Sequence, residues 1–420
     1  MEYLIPHSRE YPDVPKHIRI SDWCGDNIFN DGVLPETIPA KDKTKGNTNK
    51  KRKIWKRKKD IIIHYKDNVE LGRYKTIREA SEGSGMKYYT VADSLSKRTV
   101  SCRDGSVFKY VNDSPYSGTV YIPSCLWRDN HPADMLSFFA EALSDEFGWK
   151  LICSPQLNVK DIEGDILFTI KSPQHAFPDV LINIDSLPDS VYYVAYIQDI
   201  HGGEEFVNKR LKVALDRSDL ILITYRDVFY MSFPEYMHKT EYVPAFIAPT
   251  SRYLSLEIGE KKDKGLITGY ISDFYPLRRA ASKSPLFDVI PHPGYHNINK
   301  KKDIYVGDNY AELINSYLFS LTDITVQEYV VCKLFEIMAS GTVLMSDWCS
   351  EMADLGFEDG VNYVKVDCHN FEAKARDLLN NKDLAYSIIK NGRAFVMSNF
   401  TLEKRISDIR GILENKGVVV

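Results

Sequence analysis

The sequence contains no apolar run that approaches the roughly 18 residues a membrane-spanning helix requires. Its opening residues, MEYLIPHSREYPD, lack the basic-then-apolar order of a secretory leader. The cysteines, at positions 24, 102, 125, 153, 332, 349 and 368, are odd in number and include no C-x-x-C pair. That pattern argues against a disulfide framework and against a zinc site. No D-x-D occurs anywhere, so nothing in the sequence points to a metal bridging phosphates. Together these absences predict a soluble, cytoplasmic protein that needs neither a metal nor another cofactor.

What is present is a chain of 420 residues, too long for a single hydrophobic core, so two or three domains are expected. The net charge of -4 conceals a strong asymmetry. Between Lys41 and Lys59, KDKTKGNTNKKRKIWKRKK carries eleven Lys or Arg and one Asp, about +10, which leaves about -14 on the rest. Such a run is a solvated or localisation segment, a phosphate-backbone ligand or a membrane-surface ligand.

Residues 1–59, with Pro6, Pro12, Pro15, Pro35, Pro39 and the basic run, read as an irregular arm. Residues 60–113 differ. An apolar strand leads to Thr76, an N-cap candidate with Glu79 at capping-box spacing. Two short helices around a glycine turn, IREASEG and KYYTVADSL, precede a strand ending VFKYV. This order predicts a small helix-turn-helix module, unless it is only a helical hairpin packed on the next domain.

The segment resembles the modular DNA-binding domains of phage and intron-encoded nucleases. The likeness rests on Tyr74, Thr76, Ile77, Glu79 and Ala80, then Gly105, Phe108 and Tyr110, over roughly 45 residues. It implies a double-stranded DNA partner. The candidate contacts are Lys51, Arg52, Lys53, Lys56, Arg57, Lys58 and Lys59 of the basic run, with Lys87 and Tyr88 of the second helix.

Beyond the connector NDSPYSG, short strands alternate with helices: TVYIPS, KLICS, DILFTI, VYYVAYI and LILIT, then GLITGYI, FDVIPH, DIYVG, VLMSD and NYVKV. Alternation of this kind predicts an α/β fold of two Rossmann-like domains, over 117–250 and 260–420, joined near AFIAPTSRYLSLEIGEKKDKG. Ligands in this architecture lie in the cleft facing the carboxyl ends of the strands.

Within QEYVVCKLFEIMASGTVLMSD, Glu328 and Glu336 stand eight residues apart. A helix starting at about Tyr329 would turn both toward one cleft, displaced by roughly 80° at 100° per residue. Paired carboxylates of this kind suit the diol of a ribose, although the same spacing occurs on ordinary surface helices.

Two Rossmann-like domains with E-x7-E leading into FEIMASGT resemble GT-B glycosyltransferases of the group-one, retaining class. The likeness spans about 117–415 and includes LGFEDGVNYVKV and NGRAFVMSNFTLEKRI. It implies a nucleotide-sugar donor, with Glu336 on the ribose and Glu328 near the sugar. Arg278 and Arg279, after the first strand of the second domain, become pyrophosphate ligands, with Lys333 as a further cation. His292 and Tyr295 of HPGYH join the donor side, unless Pro293 and Gly294 make only a turn. In YIQDIHGGEEF, His201 is placed near the transferred sugar and Asp199 beside the acceptor, as are Asp129 and His131 of LWRDNHPADM.

The function expected is transfer of a sugar to a hydroxyl. With the DNA-binding module, the acceptor expected is a hydroxylated or hydroxymethylated pyrimidine in phage DNA. Transfer to a surface glycan or protein, or DNA binding by a chain with an inactive GT-B half, are the alternatives.

Overall fold

The structure is a computed structural model. It describes residues 3–4, 17–18, 61–66, 69–74, 77–87, 90–91, 94, 106–111, 117–124, 134–170, 187–198, 200, 211–292 and 305–418. Among them no helix is long and apolar enough to cross a membrane.

Two short strands, β1 (Tyr3–Leu4) and β2 (His17–Ile18), pair antiparallel. Strands β3 (Ile61–Lys66), β4 (Val69–Tyr74) and β5 (Ser106–Val111) form an antiparallel sheet in the order β4-β3-β5. Helix α1 (Ile77–Ser84) contributes Ala80 to its core, and Ile62, Val91 and Phe108 complete it. His64 stacks on Phe108 with centroids 4.5 Å apart and meets Ser106 Oγ at 2.9 Å, and Ser94 Oγ accepts from Phe108 N at 3.1 Å, so these buried polar side chains are bonded. The module therefore has two strands before its first helix, where the sequence suggested one. Thr76 lies outside the described residues.

The first α/β unit is a six-stranded parallel sheet, order β11-β10-β9-β8-β6-β7. Its strands are β6 (Gly118–Pro123), β7 (Lys150–Ser154), β8 (Ile166–Ile170), β9 (Tyr192–Ile197), β10 (Leu220–Ile223) and β11 (Thr240–Tyr242). Helices α2 (Met135–Phe147), α3 (Lys212–Arg217) and α4 (Arg226–Ser232) belong to it. All residues of β6, β8 and β10 are buried, because a sheet covered on both faces has no solvent side on which to alternate polar residues.

A connector carrying α5 (Thr250–Leu254) leads to a five-stranded parallel sheet, order β13-β12-β14-β15-β16. Its strands are β12 (Lys262–Gly269), β13 (Phe287–Pro291), β14 (Tyr317–Thr322), β15 (Val343–Ser346) and β16 (Val364–Lys365). The helices are α6 (Pro276–Ala281), α7 (Gly307–Asn315), α8 (Cys332–Ala339), α9 (Ser350–Leu355), α10 (Phe371–Asn380) and α11 (Lys382–Asn399). Two parallel α/β sheets in series are the GT-B arrangement.

Three details depart from the sequence reading. In DIYVG, Tyr305 and Val306 are not in a strand, and α7 begins at Gly307. The central strand of the second sheet is instead β14, YLFSLT, whose Ser320 and Thr322 interrupt an otherwise apolar run. The sequence pattern puts the last helix, α12 (Leu402–Asn415), in the second domain, yet Leu402, Ile406, Ile409 and Leu413 enter the core of the first. Each such side chain contributes roughly 1.5–3 kcal/mol when fully buried, so the chain's end straps the units together. Arg410 reinforces this strap through Glu146 of α2, at 2.6 Å.

Candidate active site

At the carboxyl end of β12, Gly269 takes a left-handed φ of 100°. A Cβ added there would lie 2.6 Å from Arg278 Nη1 and 2.6 Å from Lys333 Nζ, so the two cationic nitrogens are at most about 5 Å apart. Glycine is needed here for both backbone conformation and space. The cations come from separate helices, Arg278 from α6 and Lys333 from α8.

Arg278 is only 4% exposed, and its Nε and Nη1 are held by fixed acceptors. Its Nε donates to Asp323 Oδ1 at 3.0 Å, and Nη1 donates to the carbonyls of Tyr270 and Thr268 at 3.1 and 3.4 Å. Its guanidinium carbon sits 3.6 Å from the centre of the Tyr275 ring. Asp323 also accepts from the backbone N–H groups of Leu277 and Arg278, at 2.7 and 3.0 Å. One buried carboxylate thus orients the first turn of α6 and its arginine together. Burial pushes Asp323 up to about 6, and the adjacent Arg278 opposes the shift.

Lys333 Nζ donates to the Thr268 carbonyl at 3.1 Å. Burial first, then the adjacent Arg278, lowers its pKa to about 7. A half-buried lysine next to an arginine is a site short of negative charge, and an incoming anion would restore its proton. One turn along α8, half-buried Glu336 has its carboxyl raised by burial, with Lys333 and Arg252 opposing.

Glu328 is not at a helix entrance. Helix α8 begins at Cys332, and Glu328 lies in the preceding turn with φ 62°, close after Thr325 at φ 65°. Left-handed backbone costs a residue with a side chain about 1–2 kcal/mol, so surrounding contacts must hold this turn. Ile324 N donates to Asp347 Oδ1 at 2.9 Å, and Val326 N donates to the Phe274 carbonyl at 3.2 Å. Tyr329 then inserts into the first domain's core. The segment that should have been the helix's first turn is therefore drawn across to the other domain. Glu328 Oε1 is buried in this turn.

Arg279, paired in expectation with Arg278, instead forms an ion pair with Asp273 and is 43% exposed. His292 stacks on Tyr270, the residue after Gly269, with centroids 4.2 Å apart and planes 19° apart. Lys87 is exposed, and its carbonyl accepts from Thr90 N at 2.9 Å. His201, Asp199, Asp129, His131, Tyr295, Tyr88, Lys51, Arg52, Lys53, Lys56, Arg57, Lys58 and Lys59 lie outside the described residues. The structure thus brings Arg278, Lys333 and Glu336 to one place, with His292 beside them through Tyr270. Among the described residues no group of three or more His, Cys, Asp or Glu converges as metal ligands.

Sequence reasoning missed Gly269, Asp323 and Arg252. Asp323 had a signal, a single acid at the end of the apolar run YLFSLTD. Arg252 had none, since its partners are 56 and 118 residues away.

Residues 277–411, about a third of the chain, match a family model described as Glycosyl transferase-like. The second half thus carries a glycosyltransferase domain. No curated protein sequence matches the chain. Among solved structures it is similar to HepE of Anabaena in complex with UDP-glucose, at 12% identity and a TM-score of 0.48, over 71% of this chain and 100% of that one. It is also similar to an alpha-glucosyltransferase in complex with UDP-glucose and DNA containing an abasic site, at 12% identity and a TM-score of 0.47, over 71% and 100%. TarM matches at 11% identity and a TM-score of 0.43, over 59% of this chain and 54% of that one.

Proposed function

We propose that this protein moves a sugar from a nucleotide diphosphate sugar to a hydroxyl acceptor, with retention of configuration. The observation that carries this reading is the convergence of Arg278 and Lys333 on Gly269, one helical turn from Glu336. Two cations fixed at a glycine-terminated strand end fit a diphosphate, and a carboxylate beside them fits the ribose hydroxyls.

In the proposed reaction the bond between the sugar's anomeric carbon and the diphosphate oxygen breaks while the acceptor oxygen bonds to the same face. The departing diphosphate takes the acceptor's proton. Arg278 and Lys333 stabilise the charge that grows on the leaving oxygen, an effect worth about 1.5–3 kcal/mol for each charge-assisted hydrogen bond. A helix terminus offers only about 0.3–1 kcal/mol, so the side chains dominate. Glu336 orients the ribose, while Glu328 and His201 position the sugar. With these cations in place the reaction needs no metal, and turnover should persist in a chelator.

The acceptor we propose is a hydroxylated or hydroxymethylated pyrimidine in double-stranded DNA. This half of the reading rests on the basic run of Lys41–Lys59 and on the small module about seven residues from the first α/β unit. A tether of that length raises the local concentration of bound DNA to about the millimolar range. The base would have to leave the stack to reach the cleft.

The test is to incubate the purified protein with a panel of nucleotide sugars and with modified and unmodified duplexes, then weigh the released nucleosides. A hexose or pentose mass gain confined to hydroxylated pyrimidines is expected. Donor hydrolysis without any gain on DNA would move the acceptor to a glycan or protein. No hydrolysis of any donor, together with salt-sensitive duplex binding, would make the chain a DNA-binding protein.

A further inference from the structure

Two short helices, α4 of the first unit and α9 of the second, meet at their starts. Tyr225 and Cys349 hold the N-cap positions without a side-chain cap bond, since neither residue offers the short oxygen acceptor of a serine or an aspartate. Each helix start instead finds its partner on the other unit. Glu351 Oε2 of α9 accepts from the Asp227 N–H in the first turn of α4 at 3.2 Å, while Asp227 Oδ2 accepts from Ser350 Oγ, the first residue of α9, at 3.0 Å. Glu351 Oε1 accepts from Tyr242 Oη of β11 at 2.8 Å. At the rim, Arg226 Nε donates to Asp227 Oδ1 at 2.7 Å and Nη2 donates to Asp354 Oδ2 at 2.5 Å. Glu351 is 1% exposed and the Asp354 side chain 61%, so the shielded centre of this clasp is Glu351 and the arginine pair is screened by water.

The same two N-cap residues hold the turn that carries Glu328. The Tyr225 ring stacks on Tyr329 with centroids 3.8 Å apart, and Cys349 Sγ lies 3.9 Å from the Glu328 carbonyl oxygen. Asp347, two residues before Cys349, accepts from Ile324 N at 2.9 Å and fixes the other end of the turn. Thr325 and Glu328 both have left-handed φ, so the turn keeps its shape only through such contacts. One support therefore comes from each unit. Tyr225 runs directly into Arg226 and Asp227, and Cys349 into Ser350 and Glu351, so the clasp sets the gap into which the turn fits.

We infer that Glu351 is a positioning residue for Glu328: by joining α9 to α4 across the units it fixes Tyr225 against Cys349, and with them the turn that presents Glu328 to the transferred sugar. The inference rests on the reading of Glu328 as a residue beside the sugar. Its effect falls on geometry at the reacting centre, where a displacement of about 1 Å can cost up to about 10²-fold in rate. In the same reading donor affinity is set at Arg278, Lys333 and Glu336, so the clasp should leave it unchanged.

The experiment combines amide hydrogen exchange, UDP calorimetry and turnover of the nucleotide sugar that the wild type consumes, with the full-length protein and its Glu351→Ala, Glu351→Gln, Tyr242→Phe, Asp354→Asn and Glu328→Gln variants. Glu351→Ala should speed exchange across 324–331 by on the order of tenfold and lower kcat by a similar factor, with UDP affinity unchanged. Tyr242→Phe, a milder cut that removes one of the two donors, should do the same to a smaller degree. Glu351→Gln can still accept from Asp227 N and can donate to Tyr242 Oη, so it should keep wild-type exchange and kcat. Asp354→Asn should behave as wild type. A merely structural role would speed exchange in α4 and α9 while leaving 324–331 and kcat as they were, or would weaken UDP binding along with kcat. Either result overturns the inference. A Glu328→Gln variant that turns over as wild type does, or a wild type that consumes no nucleotide sugar, would instead overturn the reading of the site, while exchange across 324–331 still decides whether the clasp holds the turn.

Discussion

Tyr329, from the turn before α8, stacks on Tyr225 of the first unit with ring centroids 3.8 Å apart and planes 13° apart. Its hydroxyl accepts from Ile200 N at 3.3 Å. The residue after Glu328 is thus a plug seated in the opposite domain, which ties the position of that glutamate to the juxtaposition of the two units.

Replacing Tyr329 by Ala should destabilise the protein by about 3 kcal/mol or more, the usual cost of removing a buried aromatic. Tyr329→Phe should lose only about 1 kcal/mol, from the hydrogen bond. Denaturant unfolding measures both. If Glu328 works from this turn, Tyr329→Ala should also lower turnover more than it weakens UDP binding.

Gly269→Ala separates binding from folding. The new methyl would sit 2.6 Å from both cationic nitrogens and force them off the strand end. The backbone cost is about 1–2 kcal/mol at this φ, so the fold should survive. Affinity for UDP and for inorganic pyrophosphate should both drop by roughly tenfold or more. Undiminished pyrophosphate binding in calorimetry would move the phosphate site elsewhere.

Lys333 sets an alkaline limit. With its pKa lowered to about 7, it loses charge as pH rises through neutrality, and UDP affinity should decline over the same range. For stability the sign is opposite. The unfolded chain keeps this lysine protonated up to about pH 10.4, so between these values the folded form holds fewer protons and stability rises with pH. Lys333→Met should be neutral or stabilising in thermal unfolding at neutral pH while UDP affinity falls.

A second contact between the units involves Glu351 of α9, which is 1% exposed. It accepts from Tyr242 Oη at 2.8 Å and from Asp227 N at 3.2 Å, both in the first unit. Burial raises its carboxyl above the ordinary range, although these two donors oppose the shift. A group with a raised folded pKa contributes more stability once protonated, and that contribution is lost as pH rises through the folded value. Glu351→Gln should therefore match or exceed wild-type stability near neutral pH, with the difference shrinking toward acid. Glu351→Ala, which leaves both donors without an acceptor, should cost about 1–3 kcal/mol at any pH. Urea midpoints measured across pH test the pair.

The apolar runs in β6, β8 and β10 were legible because a sheet buried on both faces leaves a largely hydrophobic signature in the chain. Strand β14 was harder, since the buried Ser320 and Thr322 dilute its run, and the partner that compensates Ser320 lies in another strand. Ser320 Oγ, for example, donates to the Leu266 carbonyl at 3.0 Å. Helix α8 starts at Cys332 rather than near Tyr329 because Tyr329 has helical company in sequence but a stronger partner, Tyr225, about a hundred residues back.

The sequence by itself determined the alternation of strands and helices, the placing of a basic run near the start, and the presence of Arg278, Lys333 and Glu336 in one stretch of chemistry. Those are properties of local pattern and residue type. Only the tertiary structure decided that Arg278 faces inward on Asp323 while Arg279 turns out to Asp273, that Gly269 opens the space between two cations, and that Arg252 grips both units. Each of these depends on which distant group removes a charge from water or cancels it, and neighbours in the chain do not fix that choice.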